Sequence, residues 1–100
     1  MKTARGRENV FSDLGFSSAE ARNLQMRSQL MTALRKFVEK EGLTQAEAAK
    51  RLKVTQPRVS DLMRGKISRF SLDTLVTMSS DAGLEVDLRI TAKPASKRVA

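Results

Sequence analysis

Apolar residues recur every third or fourth position between Val10 and Gly83, and every second position between Leu84 and Thr91. The first spacing predicts amphipathic helices, the second a strand with one oily face. Val10, Phe11, Leu14 and Phe16 form a short apolar lead-in broken by Gly15. Ser17 or Ser18 then offers an N-cap, with Glu20 suited to a first turn and Glu39 to a solvent face. Leu24, Leu30, Met31, Leu34, Phe37 and Val38 mark a long helix that ends at Gly42. A helix of about 24 residues is ~36 Å long, more than a small core needs. Its first turns therefore serve a partner or break off as a separate short helix.

Three more helices follow, each with its own start signal. Thr44 and Glu47 are spaced as a capping box, in which each side chain satisfies the other's free backbone N–H. Thr55 caps a helix with Pro57 in its first turn, where a missing N–H does no harm. Ser71 opens a helix over 72–82 that Gly83 can close in a left-handed conformation. Beyond it Leu84, Val86, Leu88 and Ile90 alternate with Glu85, Asp87, Arg89 and Thr91, which predicts a strand over 84–91. No second strand is predicted to pair with it. The expected fold is all-α, mainly helical, with four to five helices and one C-terminal β-strand paired across a dimer. Residues 1–9 and 92–100 show no apolar period and are expected to be a disordered basic arm and tail around a single domain over 10–91.

The middle of the chain combines two helices into a more specific pattern. The helix over 45–52 is rich in small residues, Ala46, Ala48 and Ala49, which let another helix cross it closely. The connection Lys53-Val54 is short, and Val54 can plug the angle between the two helices. The next helix places Val59, Leu62 and Met63 within about 100° of arc. Pro57, Ser60, Asp61 and Arg64 fall on the opposite face, with Gln56 and Arg58 on its flanks. Two helices at a steep angle across a short turn make the helix-turn-helix, whose second helix enters the DNA major groove. A plain helical hairpin would share the period, so charge has to separate the two readings.

Charge favours the DNA reading. The 100 residues carry a formal charge of +8. Residues 50–69 alone hold Lys50, Arg51, Lys53, Arg58, Arg64, Lys66 and Arg69 against Asp61, a net +6, while the rest of 10–91 is −3. Positive charge focused on one short segment suits a polyanion-facing surface. The absence of Cys and His removes disulfides, thiol nucleophiles, Ser-His-Asp relays and nearly every common zinc site. No enzyme, metal or cofactor is expected. No stretch approaches the roughly 20 apolar residues of a membrane span, and Met1 to Val10 lacks a signal-peptide core, so a soluble, cytoplasmic domain is expected.

Leu43-Thr44-Gln45-Ala46-Glu47-Ala48-Ala49, then Val54-Thr55-Gln56-Pro57-Arg58-Val59-Ser60 and Leu62-Met63-Arg64-Gly65-Lys66, resembles the XRE-type (Cro/repressor-like) helix-turn-helix of the lambda-repressor-like fold. The run from about Phe11 to Ile90 is similar to small regulators grouped with HigA-like antitoxins. The shared marks are the Phe-Ser-Asp-Leu-Gly lead-in, the long first helix, Arg-Phe-Ser-Leu-Asp at 69–73 and the terminal strand. The resemblance implies that Gln45, Thr55, Arg64 and Lys66 hold DNA phosphates, Gln45 at a helix start where free N–H groups favour an anion. It implies that Gln56, Arg58, Ser60 and Asp61 read bases. Glutamine can pair with adenine N6 and N7, and arginine with guanine O6 and N7. Pro57 departs from the pattern, since it offers only an apolar contact. Asp61 departs too: it either accepts from cytosine N4 or, as the favoured reading, orients Arg58 or Arg64. Lys53 stands where the family often has glycine, at a cost of about 1 kcal/mol if its φ is positive.

The resemblance implies a dimeric repressor on a pseudo-palindromic operator, and the antitoxin of a pair whose partner is a small RNA-cleaving toxin. A stand-alone or prophage repressor, and a protein-interaction domain on the same scaffold, are the alternatives. For the dimer, antiparallel self-pairing of Leu84, Val86, Leu88 and Ile90 keeps one apolar face buried. A centre at Asp87 opposes Glu85 with the partner's Arg89, and a centre at Leu88 opposes Asp87 with it. Arg5-Gly6-Arg7 has the form of a minor-groove hook, or is simply a basic tail like Lys93, Lys97 and Arg98.

Overall fold

The computed structural model describes residues 10–92, so the basic arm with Arg5-Gly6-Arg7 and the tail with Lys93, Lys97 and Arg98 lie outside the described residues. In order, the chain forms α1 (Val10–Asp13), α2 (Ser18–Lys40), α3 (Gln45–Leu52), α4 (Gln56–Met63), a 3₁₀ turn (Ile67–Arg69) and α5 (Leu72–Asp81). The long helix is continuous over 23 residues, and the break falls ahead of it, at Gly15. Two capping boxes fix the starts of α2 and α3. The Glu20 N–H donates to the Ser17 hydroxyl and the Ser17 N–H to the Glu20 carboxylate. The Thr44–Glu47 pair repeats the arrangement at 3.1 and 2.9 Å.

One core holds these helices together. Met31, Leu34 and Val38 from α2 meet Ala48, Ala49 and Leu52 from α3, Val59 and Leu62 from α4, and Leu75 and Met78 from α5. Phe70, from the link between α4 and α5, is fully enclosed among them. Val54 is half-buried against this core at the α3–α4 corner, the place its position between the two helices predicts. Met63 is only half-buried, so Val59 and Leu62 anchor α4.

The helices end alike. After α2, α3, α4 and α5 the chain closes with a wide backbone bond back across the last turn: Leu43 to Val38, Val54 to Ala49, Lys66 to Asp61 and Leu84 to Ser79. This closure needs a left-handed residue just past the helix. Gly42, Gly65 and Gly83 supply it at three ends, and Lys53, with φ of 58°, at the fourth. The left-handed conformation carries a steric cost for a side chain with a Cβ. Lys53 also pairs with Asp81 at 3.7 Å, but its side chain is 74% exposed and such pairs contribute little. Lys53→Gly is therefore expected to stabilise the domain by about 1 kcal/mol. Urea unfolding checks this; a midpoint at or below that of the parent protein would refute it.

The expected strand over 84–91 does not form among the described residues. Beyond Gly83 the chain runs on without regular structure to Ala92. A strand is defined by the ladder it shares with a neighbour, and the described residues offer no neighbouring edge. Leu84 reaches the core, whereas Val86, Leu88 and Ile90 remain exposed.

Candidate nucleic-acid interface

The α4 helix is anchored from below and open above. Val59 and Leu62 have no exposed surface, Gln56, Pro57 and Arg64 are exposed, and Ser60 and Asp61 are half-buried at the border. Thr55 caps it: the Arg58 N–H donates to the Thr55 hydroxyl at 3.4 Å, leaving that hydroxyl's own proton for an outside acceptor. Gln45 is exposed at the first position of α3, beside amides that point outward. The sequence-predicted residues Gln45, Thr55, Gln56 and Arg64 are thus all open to solvent.

Two of the predicted reading residues have partners within the chain. The Arg58 guanidinium lies over the Phe70 ring, 4.6 Å from its centroid, and donates to the Arg69 carbonyl at 2.8 Å. To reach a base it has to leave both. Asp61 orients neither Arg58 nor Arg64, as was expected of its supporting role; its carboxylate takes the Arg69 guanidinium at 3.4 Å. The reason is the turn after Gly65, which folds residues 67–70 back along this flank of α4. Gly65 itself has φ of +70°, and a Cβ there would come within 3.3 Å of the Arg35 guanidinium.

The structure sorts the cations of the basic window. Arg51 stacks on Phe37, 5.1 Å from the ring centroid, and Lys53, Arg58 and Arg69 are engaged as described. Lys50, Arg64 and Lys66 have no anionic partner among the described residues. Free cations beside an open helix face are what phosphate contact requires.

Sequence reading missed Arg27. From the middle of α2 its guanidinium donates to the carbonyls of Ile67 and Phe70, both at 3.1 Å, and its Nε donates to the Asn23 amide oxygen at 2.7 Å. It clamps the 3₁₀ turn, and with it the Arg69 side chain and the flank of α4. Those partners lie 40 and 43 residues away, so no local pattern could have announced them. Arg35, drawn close to Gly65, was missed for the same reason. Among the described residues no cluster of acids could hold a metal ion, and no helix is long and apolar enough to cross a membrane.

Known proteins share this arrangement. The family model for a helix-turn-helix domain matches residues 10–91. A solved structure named as an XRE-family transcriptional regulator is 34% identical, with 81% of this chain and 91% of that chain covered and a TM-score of 0.71. No curated protein matches the chain. A match over nearly the whole described domain, joined to that likeness in sequence and shape, places the chain in the XRE-like helix-turn-helix family.

Proposed function

We propose that the chain is a sequence-specific DNA-binding transcriptional regulator that represses from a pseudo-palindromic operator as a homodimer. The observation that carries this is the open face of α4, with Gln56 and Arg64 exposed and the unpaired Lys50 and Lys66 nearby. In this reading Gln45, Thr55, Arg64 and Lys66 hold phosphates, while Gln56 and Ser60 reach base edges. Arg58 contributes to a base only after giving up Phe70 and the Arg69 carbonyl, and Asp61 acts through Arg69. The apolar run Leu84, Val86, Leu88 and Ile90 joins the two copies. The antitoxin role, with a small RNA-cleaving toxin as second partner, rests on the likeness of the 11–15 lead-in and the 69–73 segment to HigA-like chains.

Selection from random duplexes, followed by footprinting, tests the reading. The expected result is one enriched pseudo-palindrome whose half-sites lie about 34 Å apart, and a reporter silenced when it lies in the promoter. Affinity should fall steeply with salt. Enrichment of no sequence, with weak salt-insensitive binding to every duplex, would refute DNA regulation and leave a protein-interaction domain.

A further inference from the structure

Past Leu84, the apolar side chains after α5 are largely uncovered, and Val76 on α5 is exposed beside them. Leu88 and Ile90 are 79% and 83% exposed, and Val86 and Val76 43% and 40%. Val76, Val86 and Leu88 border a groove of about 340 Å³ between α2 and α5, whose apolar floor is Met26, Leu30 and Leu72 and whose rim includes Gln29, Asp87 and Arg89. The backbone is equally open. The Leu84 N–H bonds to the Ser79 carbonyl at 2.9 Å, and no backbone group from Glu85 to Ala92 bonds to another described residue.

We propose that this segment pairs with its copy in a second chain as a two-stranded antiparallel ribbon whose two-fold axis passes through Leu88, each Asp87 facing the partner's Arg89. It rests on the homodimer proposed above and adds its register and the residues that set it. Parity comes first. An axis between residues would set an apolar side chain opposite a charged one throughout, so the axis must pass through a residue. Charge then selects among the residues. At Asp87 the axis opposes two aspartates, at Arg89 two arginines, and at Val86 it opposes Glu85 with the partner's Asp87. Like charges directly opposite are destabilising. At Leu88 no like charges meet, and Asp87 meets the partner's Arg89 on both sides of the axis.

The backbone agrees with this centre. The unbonded, alternating stretch Glu85 to Thr91 has Leu88 as its midpoint. Because the Leu84 N–H is already taken, the ladder runs through Glu85, Asp87, Arg89 and Thr91, leaving Leu88 and the partner's Leu88 as a non-hydrogen-bonded pair. Such a pair brings Cα atoms to about 4.5 Å. Val86 then meets the partner's Ile90 on the same face as Leu88, and that face closes the groove over Leu30 and Val76.

The chain has no cysteine, so single cysteines report the register directly. In the full-length protein under mild oxidation, Leu88→Cys should form a covalent dimer nearly completely and Asp87→Cys very little. The two Asp87 positions would be diagonal neighbours, roughly 7–8 Å apart and beyond easy disulfide reach. Asp87→Arg and Arg89→Asp alone should each raise the dimer dissociation constant about tenfold, and the double exchange should restore it. Efficient crosslinking at 87 in place of 88, or no rescue by the double exchange, overturns the register. If that happens while the parent protein still protects two half-sites, the DNA reading stands without it. A protein that crosslinks at 88 yet selects no duplex keeps the ribbon and loses the DNA reading.

Discussion

Phe70→Ala should destabilise the domain by about 3–5 kcal/mol, the range for removing an enclosed aromatic ring. Phe70 is 1% exposed and belongs to no helix; it sits in the link between α4 and α5 and plugs the space that α2, α4 and α5 enclose. Its removal opens a cavity and also strips the Arg58 guanidinium of the ring beneath it. Small domains are stable by only about 5–15 kcal/mol in total, so the loss is a large share of what exists. For a domain of this size the melting temperature should fall by roughly 15–30 °C. Phe70→Leu, which refills most of the space, should cost about 1.5 kcal/mol or less. Urea unfolding should show a lower midpoint at an unchanged slope. A midpoint for Phe70→Ala that implies a loss near 1 kcal/mol would show that the link is not part of the core. Combining Phe70→Leu with Arg58→Met isolates the stacking, because only contacting residues give non-additive effects.

The predictions that succeed from sequence rest on local physics. Ser17 with Glu20 and Thr44 with Glu47 satisfy their own helix starts within three residues, so spacing alone reveals them. Lys53 stood out by resemblance rather than by local physics, at a position where the family often has glycine, and its φ of 58° is indeed positive. Val59 and Leu62 were legible from the helical period, Met63 only in part. The failures share a different cause. Arg27, Arg58 and Arg69 look like any other arginine along the sequence, and nothing local distinguishes a clamp from a solvated charge. Their partners arise only once the 67–70 turn folds back across α2 and α4. The alternation over 84–91 is real as a pattern, but a period cannot supply the second edge that a strand needs.

Arg64→Ala combined with Lys66→Ala should weaken binding to operator and random duplex alike, by about 100-fold at moderate salt, and reduce the slope of log affinity against log salt by about 2. Both cations flank the end of α4 and neither has an anionic partner among the described residues, so their loss leaves no buried charge and the fold should be unaffected. Gln56→Ala should behave differently. An exposed amide at the start of α4 that pairs with one base edge is worth about 1–3 kcal/mol on the selected operator and little on random sequence. The salt slope should not move, since no charge is lost. The contrast between a uniform and a selective loss separates holding from reading, and it does so at the two ends of the same helix. Fluorescence anisotropy with both duplexes across a salt series measures it. Equal losses on operator and random duplex for Gln56→Ala would remove base reading from α4. An unchanged slope for the double variant would move the phosphate contacts elsewhere on the protein.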